Sequence, residues 1–217
     1  MIDSLKDIPL FSCLDDAEIE ALREVARNKT FPKGTMLFSE GDESDNFYVI
    51  CSGKVNVGKN DEEGREIILT MLGPGEYFGE MALMDGEPRS AFVMTKETTE
   101  LLVISKKDFN NLLLANPGIM FNFLIGLQKR LREANKRLES LALMDVYGRV
   151  ARLLTYLAGS SEPGSVVEDK LTHQEIASMV GASREMVSRV LKDLTTQGYI
   201  SIRKKRVTIH KHMPYEW

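Results

Sequence analysis

Cysteine is scarce and long hydrophobic runs are missing, and both absences exclude whole classes of protein. The chain of 217 residues has two cysteines, Cys13 and Cys51, which are too few for a disulfide framework or a four-thiolate cluster. Its longest nearly apolar stretch, Ile119 to Leu127, is much shorter than the roughly 18–20 residues of a membrane span. The N-terminal residues lack the basic-then-apolar pattern of a secretory signal. We therefore expect a cytoplasmic protein with no membrane partner.

Histidine is missing from residues 1–145, and all three histidines lie further along the chain, at His173, His210 and His212. A metal-dependent jelly-roll enzyme carries histidines and a glutamate on its strands. A haem sensor would also need a histidine within residues 1–145. An iron–sulfur sensor needs about four cysteines. The sequence contains no recognisable arrangement of nucleophile and base either. We predict a protein that is not an enzyme, has no metal site and uses no catalytic cofactor.

The net charge of −4 hides an uneven distribution along the chain. Residues 146–217 carry 11 basic and 7 acidic side chains, a net charge of +4, whereas residues 1–145 carry 17 and 25, a net charge of −8. An acidic front and a basic back indicate two domains with different partners. The basic part is the candidate for binding a polyanion.

Short apolar runs separated by glycines fill the chain from about Thr30 to Ile104, and runs of this length suit β-strands. Five glycines recur there every 11 or 12 residues: Gly41, Gly53, Gly64, Gly75 and Gly86. A glycine at a fixed step between strands indicates one turn per hairpin, where a positive φ is often needed. The pattern predicts a β-barrel or jelly roll rather than a parallel sheet.

A long helix is predicted next, because Asn116-Pro117 provides a cap and a favoured first-turn proline. Apolar residues then alternate in steps of four and three, forming a seam of Met120, Leu124, Leu127, Leu131, Ala134, Leu138 and Leu141. Charged residues flank this seam and leave only a narrow apolar stripe, which favours a dimer. The alternative is a helix that packs against its own barrel. Because the heptad pattern ends there, we expect a hinge at Asp145-Val146.

The basic part of the chain carries the pattern of a helix-turn-helix. Thr172 and Glu175 form a capping box for the first helix, and Ser183 can cap the second. Gly181 lies where the turn needs a residue without a Cβ atom. The predicted buried faces are Ile176, Ala177 and Val180 on the first helix, and Val187, Val190, Leu191 and Leu194 on the second.

The other face of the second helix is polar and consists of Arg184, Glu185, Ser188, Arg189 and Lys192. Arginine can bind guanine bidentately, and a carboxylate can accept from cytosine. A carboxylate among arginines would repel phosphate, so Glu185 is predicted to read a base. Two alternating strands would follow as a wing around the basic tip Arg203-Lys-Lys-Arg206, which can reach phosphates. We predict DNA binding; the alternative is a plain helical hairpin with a solvated face.

Together these motifs make nearly the whole sequence resemble the cyclic-AMP receptor / fumarate-nitrate regulator (CRP/FNR) family of bacterial transcription factors. The segment Val180 to Leu191 is similar to the recognition motif of the cyclic-AMP-receptor branch. The resemblance implies a palindromic, TGTGA-like operator whose half-site is read by Arg184, Glu185 and Arg189. It implies phosphate contacts by Ser183, Lys192, Thr172 and Gln174. The protein partners it implies are a second copy of the chain, forming a homodimer, and RNA polymerase.

The segment Phe78 to Ala91 resembles the phosphate-binding cassette of cyclic-nucleotide domains. This resemblance implies that Arg89 pairs with the cyclic phosphate and that Ser90 donates a hydrogen bond to it. A short helix would begin near Glu80 and direct free backbone N–H groups at the anion. These N–H groups would be those of Met81, Ala82 and Leu83.

The same resemblance assigns the ribose. Glu80 would accept a hydrogen bond from the 2′-hydroxyl group, and Gly79 would permit close approach of the backbone. The alternative is that Arg89 and Glu80 simply pair with each other in a turn of the β-roll.

The base-binding end of the cassette departs from the family pattern. Cyclic-AMP receptors contact the adenine with a Thr-Ser pair on the dimer helix, and the matching positions here are Ala134 and Asn135. Alanine cannot form this hydrogen bond, whereas Asn135 can both donate and accept. Thr70 would also face the base. Cyclic AMP is the expected allosteric ligand, with cyclic GMP or another nucleotide as alternatives.

We therefore predict an α+β protein with three parts: an N-terminal β-roll of the jelly-roll type (residues 1–115), a dimerisation helix (116–145) and a winged helix-turn-helix (146–217). Its expected function is transcriptional regulation in response to a cyclic nucleotide. One alternative is a member of the same family that needs no ligand or responds to another signal. A second is a nucleotide-binding regulatory subunit of a protein partner, against which the winged helix argues.

Overall fold

The computed structural model describes residues 5–43, 45–64, 66–160, 162–203 and 206–214. The chain forms two compact units, Met1–Leu131 and Arg132–Trp217. Within the described residues, no helix combines the length and the apolar character needed to cross a lipid bilayer.

The N-terminal unit is built from two four-stranded antiparallel sheets, with the strand orders β1-β8-β3-β6 and β2-β7-β4-β5. The strands are β1 (Arg27–Phe31), β2 (Met36–Phe38), β3 (Asn46–Ser52), β4 (Val55–Asn60), β5 (Glu66–Leu72), β6 (Tyr77–Phe78), β7 (Phe92–Thr95) and β8 (Thr99–Ser105). The helices are two 3₁₀ turns (Leu5–Asp7 and Pro9–Phe11), α1 (Asp16–Val25), α2 (Met81–Asp85), α3 (Lys106–Ala115) and the beginning of α4 (Pro117–Leu143). The predicted β-roll is confirmed.

The five regularly spaced glycines all have a positive φ, between 77° and 87°. Gly53 shows most clearly why glycine is needed. A Cβ atom there would lie 2.5 Å from the carbonyl oxygen of Thr98 and 2.7 Å from the Cα atom of Thr99, so backbone would have to move. At Gly41, Gly64 and Gly86 the space is open and only the backbone conformation favours glycine.

Helix α4 uses one face to join the core of the N-terminal unit and leaves most of the predicted seam open. Ile119 and Phe123, one turn apart, are fully buried in that core, and Leu127 packs against it. The remaining leucines of the seam are exposed; Leu138 keeps 64% of its surface. The alternative of a helix packed on its own barrel therefore accounts for the start of α4, but among the described residues it leaves most of the seam exposed.

The C-terminal unit has the predicted helix-turn-helix at its centre. Its elements are α5 (Val146–Ala158), β9 (Val166–Val167), α6 (His173–Val180), α7 (Arg184–Thr196), β10 (Ile200–Arg203) and β11 (Arg206–Ile209). All seven side chains predicted for the two apolar faces are buried. Thr172 and Glu175 form the capping box of α6, and the Ser183 side chain accepts from the N–H group of Met186. Gly181 ends α6 in the left-handed conformation, with a φ of 63°.

The wing is also present as predicted. Strands β10 and β11 pair in antiparallel fashion, with Ile200 opposite Ile209, and β9 adds a third strand that the sequence did not indicate. The two lysines of the predicted basic tip, Lys204 and Lys205, lie outside the described residues.

The predicted hinge is a junction between two helices. Helix α4 ends at Leu143, and the Asp145 side chain accepts from the N–H group of Gly148 to cap α5. Arg149 spans the junction: its Nη1 atom donates to the Met144 carbonyl oxygen at 3.0 Å, and its Nε atom donates to the Val180 carbonyl oxygen at 2.9 Å. The end of α4 is therefore bonded through one side chain to the end of the first helix of the helix-turn-helix.

Candidate nucleotide-binding and DNA-binding sites

The cassette connects a short strand to a short helix through Gly79, whose left-handed backbone conformation favours glycine. Strand β6 ends at Phe78, Gly79 has a φ of 84°, and α2 begins directly after Glu80, as predicted. Gly86 ends α2 in the left-handed conformation. This sequence of turns brings both ends of the cassette together around one side chain, that of Arg89.

Arg89 is a buried cation with an incomplete set of partners. Only 4% of its surface is exposed. Its Nη1 and Nη2 atoms donate to the carbonyl oxygens of Gly79 and Asn46, each at 2.8 Å, and its guanidinium carbon lies 4.0 Å from the centre of the Phe38 ring. The Nε atom is buried and finds no acceptor among the described residues.

The surroundings of Arg89 favour the binding of an anion. Burial lowers the pKa of its guanidinium, because desolvation disfavours the charged form, while the nearby Tyr48, Glu80, Asp45 and Asp42 act in the opposite direction. Arginine nevertheless keeps its proton at every physiological pH. A buried charge and an unused N–H group are both costly to leave without a partner. An anion that accepts from Nε would remove both costs.

Glu80 does not pair with Arg89, which was the alternative to a ligand-binding role. Its buried carboxylate accepts instead from the Nη1 atom of Arg130 at 2.7 Å. The Nη2 atom of Arg130 donates to the carbonyl oxygen of Tyr77, and the guanidinium lies 4.5 Å from the centre of the Tyr77 ring. Burial raises the pKa of the Tyr77 hydroxyl to about 12, against the lowering effect of Arg130. Arg130 is thus a residue of the site that the sequence reasoning missed.

Arg130 is one of the charged residues that flank the seam. Nothing in the heptad pattern distinguishes it from the other flanking side chains, Lys129 and Arg132 among them. The one available signal is that Glu80, an acid inside a turn between apolar segments, needs a cation if it is buried.

Gly79 makes close approach possible, but the group that approaches is Arg89. A Cβ atom at this position would lie 2.6 Å from the Nη1 atom of Arg89 and 3.1 Å from the carbonyl oxygen of Asn46. Gly79 therefore creates the space in which the guanidinium sits.

Two donors of the cassette already have acceptors. The hydroxyl of Ser90 donates to the Sδ atom of Met81 at 3.5 Å. The N–H group of Leu83 donates to the carbonyl oxygen of Glu80 at 3.1 Å. The expectation that this N–H group is free for an anion is therefore wrong. Met81 and Ala82 occupy the first two positions of α2, where a helix offers no acceptor of its own for the N–H group.

The three residues expected near the base lie in different places. Thr70 is half-buried on β5, opposite Val57 of β4. Ala134 and Asn135 are exposed on α4, in the part of that helix that belongs to the C-terminal unit.

The residues expected at DNA share the exposed surface of the helix-turn-helix. All eight are exposed: Thr172, Gln174, Ser183, Arg184, Glu185, Ser188, Arg189 and Lys192. Three of them, Thr172, Gln174 and Arg184, line one cleft of about 480 Å³ together with His173. The pKa of Glu185 is lowered by its own backbone N–H group and by the Ser183 hydroxyl, so this carboxylate is ionised at the start of α7.

Two of the predicted phosphate contacts also have a role within the fold. The Thr172 hydroxyl donates to the Oε2 atom of Glu175 at 2.9 Å and accepts from the Glu175 N–H group at 3.1 Å. The Ser183 hydroxyl oxygen accepts from the N–H group of Met186 at 3.2 Å. Both side chains start helices, and this explains their identity without DNA.

Comparison with known proteins agrees with this geometry in both units. Residues 28–116 match the family of cyclic nucleotide-binding domains, and residues 148–212 match the Crp-like helix-turn-helix domain.

Relatives that match most of the chain are named as regulators of transcription. The chain is 36% identical, over 92% of its length and 91% of the relative's, to a CRP-like cAMP-activated global transcriptional regulator of Mycobacterium tuberculosis. It is 39% identical, over 83% of its length and 82% of the relative's, to the cAMP-activated global transcriptional regulator CRP of Haemophilus influenzae.

A solved structure is similar over most of the chain. The c-di-GMP responsive global regulator CLP of Xanthomonas campestris has 30% sequence identity and a TM-score of 0.79, covering 90% of this chain and 99% of that one. These relatives are regulators of transcription and not enzymes, as predicted. The chain belongs to the CRP/FNR family of transcriptional regulators.

Proposed function

We propose that the protein binds a cyclic nucleotide in the cassette and, as a homodimer, converts this binding into recognition of a palindromic, TGTGA-like DNA site. One observation carries the ligand part of the proposal. Arg89 is a buried cation whose Nε atom has no acceptor among the described residues, at the position where the family's cassette holds a phosphate.

The cyclic phosphate would complete the hydrogen bonding of Arg89. It also accepts from the N–H groups of Met81 and Ala82, and from Ser90 once that hydroxyl leaves Met81. The ribose 2′-hydroxyl donates to Glu80. A carboxylate has about four lone-pair positions, so Glu80 can accept from the ribose while it keeps Arg130.

The nucleotide itself is proposed to be cyclic AMP, which the names of the curated relatives support. Thr70 is the proposed base contact in the N-terminal unit. Asn135 is the second candidate for reading the base, and Ala134 can add only apolar contact. The similar regulator of Xanthomonas campestris is responsive to c-di-GMP, which makes a cyclic dinucleotide the second candidate. The departure from the Thr-Ser pair, at Ala134 and Asn135, favours testing both.

The DNA part of the proposal rests on the polar face of α7. Arg184, Glu185 and Arg189 read base edges, with Ser188 beside them. The phosphates are bound by Thr172, Gln174, Ser183 and Lys192. Thr172 and Ser183 lie at helix N-termini, where backbone N–H groups also favour an anion, so capping and phosphate binding are compatible.

The dimer part rests on the seam of α4. Apart from Leu127, the leucines of the seam are exposed although they repeat in a heptad pattern, and a second copy of the chain supplies the matching surface. A two-fold dimer presents two recognition helices to a palindrome about 34 Å apart, one turn of DNA. The nucleotide shifts the population towards that arrangement, with the junction at Asp145-Val146 as the hinge, and RNA polymerase is the further partner.

Calorimetric titration with cyclic AMP, cyclic GMP and cyclic di-GMP tests the ligand. We expect binding of cyclic AMP to the unaltered chain, loss of binding in Arg89→Gln, and normal binding in Arg27→Gln, an exposed arginine on β1. Fluorescence anisotropy with a palindromic fragment then measures DNA affinity with and without the bound nucleotide. Equal binding by Arg89→Gln and the unaltered chain would overturn the cassette assignment.

A further inference from the structure

Two methionines of the cassette lie on its outer surface. Helix α2 buries Ala82 and Leu83, whereas Met81 and Met84 keep 53% and 57% of their surface exposed. Exposed thioethers are the methionine side chains that peroxides reach. The two residues therefore have similar access to an oxidant, although their surroundings differ.

Met81 is distinguished from Met84 by its contact with Ser90. The Ser90 hydroxyl donates to the Met81 Sδ atom at 3.5 Å. A thioether sulfur is a weak acceptor, and serine has only one hydrogen to donate. The Ser90 hydroxyl can therefore exchange the sulfur for a phosphate oxygen at a small cost in free energy.

We infer that Met81 is a site of reversible oxidation that lowers the affinity of the cassette for its nucleotide; this inference rests on the proposed function. The oxidant is a peroxide. The sulfur lone pair attacks one peroxide oxygen, an S–O bond forms, the O–O bond breaks, and the second oxygen leaves as water. Sulfur is oxidised by two electrons and the peroxide is reduced, and methionine sulfoxide reductases reverse the reaction.

The sulfoxide competes with the phosphate for Ser90. Its oxygen carries negative charge and accepts far more strongly than the thioether did, so the single hydrogen of Ser90 stays with Met81. The phosphate loses a charge-assisted hydrogen bond, and the affinity for the nucleotide falls about tenfold or more.

The same geometry predicts protection in the opposite direction. A bound nucleotide covers the first turn of α2 and draws Ser90 away, so peroxide should oxidise Met81 more slowly when cyclic AMP is present. The contact with Ser90 is made by Met81 and not by Met84, so Met84 should react at the same rate with or without cyclic AMP.

The test compares two matched variants, Met81→Leu and Met84→Leu, before and after treatment with hydrogen peroxide. Mass spectrometry measures the sulfoxide at each position, and calorimetry measures the affinity for cyclic AMP. Each variant is compared with its own untreated form. We expect a fall of about tenfold or more in the unaltered chain and in Met84→Leu, recovery after treatment with the reductases, and little change in Met81→Leu. In Ser90→Ala, whose hydroxyl is absent, treatment should have a much smaller effect.

The possible failures are distinguishable. If the untreated chain binds cyclic AMP and peroxide lowers its affinity equally in Met81→Leu and Met84→Leu, the role of Met81 is overturned and the proposed function stands. Oxidation of Met81 at full rate in the presence of bound cyclic AMP would overturn it as well. If the untreated chain does not bind cyclic AMP, the proposed ligand is wrong and the inference falls with it.

Discussion

The space that Gly79 leaves for Arg89 gives a sharp test of how the cassette works. In Gly79→Ala the new Cβ atom would lie 2.6 Å from the Nη1 atom of Arg89. To reach the 3.4 Å of an ordinary contact, the guanidinium must move by about 0.8 Å. It would then leave the carbonyl oxygens of Gly79 and Asn46, both now at 2.8 Å, and present its charge to a phosphate in the wrong position.

Gly86 provides the matched control. Its φ of 78° is close to the 84° of Gly79, but a Cβ atom there would meet nothing within 4 Å. Both alanine variants should therefore lose about 1–2 kcal/mol of unfolding free energy through backbone strain. Only Gly79→Ala should also lose nucleotide affinity, by roughly ten- to hundredfold, the range expected when a hydrogen bond to a charged group is lost.

Two measurements separate these effects. Urea denaturation gives the free energy of unfolding, and calorimetric titration with cyclic AMP gives the affinity. If both variants lose affinity to the same extent, backbone strain is the cause, and the idea that Gly79 makes room for Arg89 is refuted.

Three shorter predictions follow from other contacts. Arg130→Met should lower the unfolding free energy by about 2–3 kcal/mol, since it leaves the buried Glu80 carboxylate unpaired, and adding Glu80→Gln should restore most of it; no recovery in denaturation would contradict the ion pair. Leu138→Glu should give a monomer in light scattering, whereas the control Leu114→Glu, on an exposed part of α3, should not. Glu185→Ala should reduce discrimination at one base pair by about 1–3 kcal/mol in binding to operator variants, and unchanged discrimination would exclude it as a base reader.

Features encoded by short segments could be predicted from the sequence. The capping box of Thr172 and Glu175 needs only four consecutive residues, and the turn at Gly181 needs one. The five glycine turns of the β-roll repeat at a fixed step, and each one has the positive φ that the pattern indicated. The conformation of each of these caps and turns is determined by its own few residues, so it could be predicted without knowing the tertiary contacts.

Features that depend on contacts between distant segments could not be predicted. Glu80 and Arg130 are 50 residues apart, and no periodicity relates a turn of the β-roll to a helix that follows it. The hydrogen bond from Ser90 to Met81 spans nine residues, and no sequence pattern indicates it, because the neighbouring arginine makes Ser90 look like a ligand contact. Helices α1 and α3 and the two-residue strand β9 were also not predicted, since they lie outside the recognised motifs.

Arg130 links the cassette to the surface of the proposed dimer. It pairs with Glu80 and directly precedes Leu131, a member of the exposed seam, on the same helix. Under the proposed function, a ribose hydroxyl that binds Glu80 shares this carboxylate with Arg130, so we expect the nucleotide to shift the arginine relative to Tyr77. Neighbouring residues of a packed helix move together, so a shift of Arg130 should also shift Leu131 and change how the seam packs in the proposed dimer.

The coupling must be reciprocal, because linkage applies to binding free energies. A nucleotide that stabilises the dimer has to bind the dimer more tightly than the monomer, by the same factor. Sedimentation equilibrium with and without cyclic AMP measures that factor, and we expect it to fall towards one in Arg130→Met, which still presents Arg89 to the phosphate. If Arg130→Met retained the full effect of cyclic AMP on the dimer, the signal would have to reach the seam without passing through the contact between Glu80 and α4.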